Sequence, residues 1–400
     1  MHSYTKVFGG RARQKSTRRR GGNLTPIEFG LPTLGKAEED AVLQVMRSCW
    51  LSSGEFAENL EIEIQRIVNA RAYATGSATM AFQTLLLALG VGPGWKVSFP
   101  AITFSGMPMQ AFIAGATVQL VDIDENGFMS LPSCWQETPN QVVVITHLAG
   151  AAGPVRAIRS QTKAATLVED CAHLYPGFKS NDYIAGACSH SDFSIFSFYP
   201  TKCVAAAEGG AITTRSDLPL EQIRLHGFRH GARRRYEVSD QHWVYDIVNI
   251  GTKANLTDVS ASIALVQLKR IDELTARRRA AASWYMERLR NSPVRVLHGN
   301  LRAAKKHAEH LFIVLLPDDA DRNAIRVELK KNKIASSVHF PSVHLLSFWR
   351  EQIELGRVEV LGALKNAELY SRSALSLPLH AALTEKQVDL ICKVLLNNVG

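Results

Sequence analysis

The chain has 400 residues, 46% hydrophobic and 21% charged, which is ordinary globular usage and long enough to bury a core without disulfide or metal staples. That excludes a wholly disordered chain, a collagen-like chain and a coiled-coil rod. The formal charge of +9 invites a nucleic-acid reading, but Lys6, Arg11, Arg13, Lys15, Arg18, Arg19 and Arg20 supply seven of those charges and no acid precedes Glu28.

Residues 1–25, rich in Arg, Gly and Ser, read as a flexible basic arm. Compact patterning starts at Pro26. Helices are predicted over 35–47, 55–69 and 78–90, the last a strongly apolar run closed by a Gly. Strands and helices then alternate: strand 97–100, helix 107–116, strand 117–124, strand 141–147, helix 154–163, and strands 165–170, 191–198 and 209–214. Short apolar strands alternating with helices predict an α/β fold with a mainly parallel sheet covered on both faces. Residues 256–290 read as one long helix leading into a smaller α+β domain. That domain holds 310–316, a helix over 320–332, the segment 334–340 and a terminal helix over 384–397. The division is a large domain over 26–265 and a small C-terminal domain over 266–400.

Cys49, Cys134, Cys171, Cys188, Cys203 and Cys392 form no C-x-x-C pair, and their spacing fits no zinc finger or ribbon. Reduced thiols and no metal site are expected. The basic N-terminus lacks the apolar run of a signal peptide, and no stretch approaches a transmembrane span, so the cytoplasm is the expected location.

In such sheets ligands sit outside the carboxyl ends of the strands. VED places Asp170 at one strand tip, with His173 three residues on. FSF places Ser197 at the next, and Lys202 follows in YPTK. Phe104 lies in the loop after strand 97–100. The run YATGSATMA, Tyr73 to Ala81, precedes an apolar helix whose free N–H groups suit a phosphate. Each signal alone has a plainer reading: a surface lysine, a turn carboxylate, an N-cap, a core Phe, a buried His. Together they meet one demand. A pyridoxal 5′-phosphate (PLP) enzyme needs a lysine for its covalent link, a carboxylate for the ring nitrogen, an anion cradle and a flat partner for the ring.

The chain resembles the DegT/StrS-type sugar aminotransferases, which are fold type I PLP-dependent enzymes. The resemblance rests on TGSATMAF, PAITF, GATVQLVDID, VEDCAHLYPG, FSFYPTKCVAAAEGGAITT, KANLTDVSASIALVQLKRIDELTARRR, HLFIVLL, SVHFPSVH and SLPLH, in order from about residue 30 to 395. It implies an aspartate aminotransferase-like fold with a seven-stranded sheet. It implies Lys202 as the catalytic, cofactor-linked lysine, Asp170 on the pyridine nitrogen, His173 beside the phenolic oxygen and Phe104 stacked on the ring. Ala78, Thr79 and Ser197 would hold the phosphate. Asn255 would reach the neighbouring subunit's cofactor, which implies a homodimer with shared active sites. Trp50, Ser53 and His339 fall in loops near the sugar nucleotide. Three departures stand out. Ala78 replaces the usual Gly, His173 replaces a frequent Gln, and Asn255 lacks the aromatic-Arg pair that usually follows it. His at position 173 resembles members that aminate C4 of a UDP-sugar.

The expected function is transfer of an amino group from glutamate to a nucleotide-linked keto-sugar, at C4 of a UDP- or dTDP-4-keto sugar, for polysaccharide or lipopolysaccharide. A keto-inositol aminotransferase of antibiotic synthesis is the nearer alternative. A non-catalytic regulatory protein binding nucleic acid through the arm is the further one, opposed by the joint presence of Lys202, Asp170 and Ser197. No aromatic residues interleave the arginines, so a nucleic-acid partner is not expected.

Overall fold

The computed structural model describes residues 25–228 and 246–399. The basic arm, apart from Thr25, lies outside them. Strand β1 (Arg71–Thr75) is followed by β2 (Lys96–Pro100), β3 (Thr117–Val121), β4 (Gln141–Thr146) and β5 (Thr166–Asp170). A short hairpin, β6 (Lys179–Ser180) and β7 (Tyr183–Ile184), precedes β8 (Phe193–Ser197) and β9 (Gly210–Thr214). The C-terminal third adds β10 (Arg295–Val296), β11 (Phe312–Leu315), β12 (Val358–Leu361) and β13 (Ala374–Leu377).

The main sheet has the order β1-β9-β8-β5-β4-β2-β3-β12. Only β9 runs against its neighbours, β1 and β8; every other pair is parallel. Helices cover both faces, so the central strands read as unbroken apolar runs, and all six residues of QVVVIT in β4 are buried. The sheet has eight strands rather than the expected seven. The eighth, β12, comes from the C-terminal segment and pairs with β3, Val358 opposite Val118. It is an edge strand whose last three residues are half-exposed, so its sequence carries no buried-strand signature. Strand β1 also escaped the sequence reading, because RAYAT is short and earns its place only by pairing with β9.

The small sheet, β10-β11-β13, is antiparallel. Residues 271–288, 322–331 and 385–396 form helices whose apolar faces share one core with it, built on Tyr285, Phe312, Leu329, Leu377 and Ile391. The long helical stretch is two helices, Asp258–Lys269 and Ile271–Arg288. The break falls at Arg270, where the sequence has neither Gly nor Pro. The Arg270 guanidinium is drawn onto the buried Glu38 carboxylate at 2.6 Å and onto Glu273. The break thus coincides with a residue held by a tertiary ion pair and not with a helix-breaking residue.

Asp258 ties the N-terminal helices to this unit. Its Oδ1 accepts the N–H groups of Gly54 at 2.8 Å and Ala57 at 3.0 Å, so it caps helix Glu55–Val68 from 201 residues away. Gly54 has no side chain to cap its own helix. Asp258→Ala would leave these donors unpaired in a buried setting, at a cost of about 1–3 kcal/mol. Chemical denaturation should show that loss with an unchanged slope.

All six cysteines are unpaired, with Cys49 and Cys134 exposed and the rest buried. Among the described residues no helix is long and apolar enough to cross a membrane.

Candidate active site

The carboxyl ends of the parallel strands converge on one cavity of about 480 Å3. Thr146 closes β4, Asp170 closes β5 and Ser197 closes β8, and all three line it with Ala78, Thr79, Phe104, His173, Lys202 and His339. Eight of the sequence-predicted site residues are thus brought together from across some 260 positions of chain.

Ala78 and Thr79 begin helix Ala78–Ala88, where the first N–H groups have no acceptor within the helix. Ser77 caps it, accepting from Met80 N–H at 3.1 Å. The adjacent strand comes close because residue 210 is glycine: a Cβ there would lie 2.5 Å from the Ala78 nitrogen and 2.7 Å from the Phe196 oxygen. The EGG turn therefore lets β9 lie against the helix terminus. Ser197 Oγ stands beside them and accepts from Tyr199 N–H at 3.3 Å.

Asp170 is 4% exposed, and its Oδ1 accepts from Ala172 N–H at 3.0 Å. Burial pushes its carboxyl above the usual range, opposed by that N–H and by Lys202. Lys202 sits in a tight turn, its N–H bonded to Tyr199 O at 2.8 Å. Burial lowers its ammonium to about 8, with Asp170 opposing. Reaction of Lys202 with an aldehyde requires the free amine. Its rate in the cofactor-free protein should climb about tenfold per pH unit up to about 8 and then level off. Mass spectrometry of the borohydride-reduced protein follows that rate.

His173 Nδ1 accepts from Ala149 N–H at 3.1 Å. Burial, then the Lys202 charge, holds its pKa well below the ordinary value. The ring is therefore neutral and carries its hydrogen on Nε2. Its faces meet Phe340, stacked at 5.6 Å, and His310 at 4.6 Å. Phe104 stands at the rim, half-exposed and 6.3 Å from Phe340. Gly106 leaves room for it, since a Cβ there would meet the Phe104 ring at 2.4 Å. His339 faces the cavity, bonds Ser376 Oγ through Nδ1 at 2.9 Å and is lowered to about 4 by burial.

Trp50, Ser53 and Asn255 are not part of this lining. They form their own group: Asn255 Nδ2 donates to Ser53 Oγ at 2.6 Å, and Trp50 Nε1 donates to Ser53 O at 2.9 Å. Sequence reading missed His147, His310 and Phe340 in the wall. His147 directly follows β4, where the strand-end rule had a signal. His310 and Phe340 arrive from the C-terminal part of the chain, which no local pattern announces.

One group among the described residues, His147, Glu169 and Cys171, places possible metal-ligand atoms within 4.8 Å of one another. Those atoms already serve each other. His147 Nε2 lies 2.8 Å from Glu169 Oε2, Tyr183 donates to the same oxygen at 2.6 Å, and Gly153 N–H donates to His147 Nδ1. The group is a closed hydrogen-bonded cluster around a buried carboxylate.

The model of the DegT/DnrJ/EryC1/StrS aminotransferase family matches residues 32–396. The spore coat polysaccharide biosynthesis protein SpsC of Bacillus subtilis (strain 168) is 33% identical over 381 residues, covering 91% of this chain and 94% of that protein. A candidate sugar aminotransferase, Spr1654 from Streptococcus pneumoniae, solved in its PLP form, has a TM-score of 0.79 at 27% identity, covering 94% of this chain and 99% of that one. Helicobacter pylori PseC, an aminotransferase involved in the biosynthesis of pseudoaminic acid, has a TM-score of 0.84 at 23% identity, with 94% and 99% covered, and is a likeness of fold.

Proposed function

The chain belongs to the DegT/DnrJ/EryC1/StrS family of PLP-dependent aminotransferases, and from that premise we propose that it moves an amino group from glutamate to a nucleotide-linked keto-sugar, at C4 of a UDP- or dTDP-4-keto sugar. The observation that carries this reading is one lysine, Lys202, its ammonium lowered to about 8, sharing a cavity with a buried carboxylate and an open helix N-terminus.

The residues present fit PLP. Ala78 and Thr79 N–H groups with Ser197 Oγ form a cradle for a phosphate. Asp170 suits a cationic ring nitrogen, because a buried carboxylate gains most from an adjacent positive charge. His173 offers its Nε2–H to an oxygen anion, and Phe104 offers a ring face. When bound, the cofactor supplies an electron sink that lets a proton leave the carbon beside the transferred nitrogen.

The chain's own residues do the rest. Lys202 holds the cofactor between turnovers. Once released, its amine carries a proton between neighbouring atoms, and a positioned acid–base group of this kind contributes typically about 10²–10⁴-fold. Burial brings the pKa of that amine down to about 8, so near neutral pH it carries a proton it can also give up. His173 and His339, kept neutral, leave the local positive charge to Lys202. Asn255, outside the lining of this cavity, would serve the cofactor of a neighbouring copy in a homodimer.

The test offers the purified enzyme and glutamate a UDP-4-keto sugar, a dTDP-4-keto sugar and a keto-inositol in turn. The reading expects the highest kcat/KM for a nucleotide sugar. Preference for keto-inositol would transfer the chain to aminocyclitol synthesis, and no amino transfer to any ketone would overturn catalysis.

A further inference from the structure

We propose that Arg278 is a positioning residue that fixes the main chain of Lys202 and His310 where the two domains meet; this rests on the reading of Lys202 above. Arg278 lies in helix Ile271–Arg288 and is 4% exposed. Its guanidinium reaches five carbonyls. Nη1 donates to Leu379 O at 3.0 Å, His310 O at 3.4 Å and Glu309 O at 3.5 Å, and Nη2 donates to Thr201 O and Lys202 O, each at 3.5 Å.

Among the described residues no carboxylate pairs with this cation. A buried charge with only dipoles around it is costly to keep. A neutral side chain would fill the volume more cheaply, but it could not gather three separate segments. The planar fork of arginine, with five N–H donors in fixed directions, can.

Two of those three segments carry cavity residues. Lys202 projects from a turn closed by one main-chain bond, so a second hold from behind limits where its side chain starts. His310 projects from the residue after Glu309, whose φ of +56° marks a sharp reversal before β11. Its ring Nδ1 is buried without a hydrogen-bond partner, on a ring that faces His173 and the cavity. Cys203 Sγ, bonded to Ala308 O at 3.4 Å, ties the same two segments one residue further along. Arg278 thus sets the separation between a large-domain amine and a small-domain imidazole. A 1 Å displacement of a reacting group is enough to cost about 10²-fold in rate.

The test uses Arg278→Lys, which keeps the charge and loses the fork, and Arg278→Gln, which keeps donors and loses the charge. In the holoenzyme, either folded variant should show kcat lower by about 10²-fold, with KM for both substrates and PLP content close to wild type. In the cofactor-free protein, amide hydrogen exchange should quicken over the three segments that Arg278 holds, 199–206, 307–311 and the stretch around Leu379, and not through the rest of the chain. Added guanidinium should restore part of kcat in Arg278→Ala, where it can enter the space left. Wild-type kcat in Arg278→Lys, or exchange quickened evenly through the whole chain, overturns the proposal. A wild-type protein with no mass gain on Lys202 after borohydride treatment overturns the reading beneath it instead.

Discussion

Lys202→Ala is expected to abolish amino transfer while leaving the fold and the cavity intact. The side chain ends in the cavity rather than in a core cluster, so its removal deletes no packing on which β8 or β9 depends. Two functions go at once. The covalent hold on the cofactor is lost, and so is the amine that shuttles the proton. The second loss alone is worth about 10²–10⁴-fold, and no neighbour can replace it. His173 and His310 are both held neutral well below their ordinary pKa by burial, so neither supplies a ready proton near pH 7. Wild-type protein should gain the mass of reduced pyridoxal phosphate at position 202 after borohydride treatment, and Lys202→Ala should not. Full turnover in the variant would remove Lys202 from catalysis.

Asp170→Asn should separate the covalent hold from the chemistry. The amide is nearly isosteric and still accepts the Ala172 N–H. Lys202 remains, so the protein should still gain mass on reduction. What goes is the negative charge facing the ring nitrogen. In the cofactor-free protein that carboxyl is pushed up by burial and has Lys202 as its cationic neighbour. Removing one partner of a buried charge pair costs about 2–4 kcal/mol, roughly 30- to 10³-fold in kcat for the half-reaction with glutamate. Single-turnover absorbance measures it. A variant with covalent attachment and an unimpaired half-reaction would sink the role given to Asp170.

The sequence carried most of this site because its residues lie at strand ends, and strand ends are legible. Asp170 and Ser197 sit where an apolar run stops and Thr79 where a helix begins, positions that local pattern marks and that the family resemblance turned into candidates. The glycines of the EGG turn mark a close approach, and Gly210 proves to be one, against Ala78. What local pattern could not mark was anything contributed at long range. Strand β12 is half-exposed and pairs at an edge, so its four residues resemble many surface segments. The break at Arg270 comes at no helix breaker, and the residue there pairs with Glu38, 232 positions away.

Chain order, strand spacing and the placement of Lys202 after β8 were written in the residues themselves, since hydrophobic periodicity and turn chemistry act over a few positions. The tertiary structure alone decided that His147, His310 and Phe340 join the wall, that Trp50, Ser53 and Asn255 stand apart from it, and that Arg278 lies behind Lys202. Each of those is a meeting of segments distant in the chain. Such meetings are set by how whole layers pack, and packing has no period along a sequence.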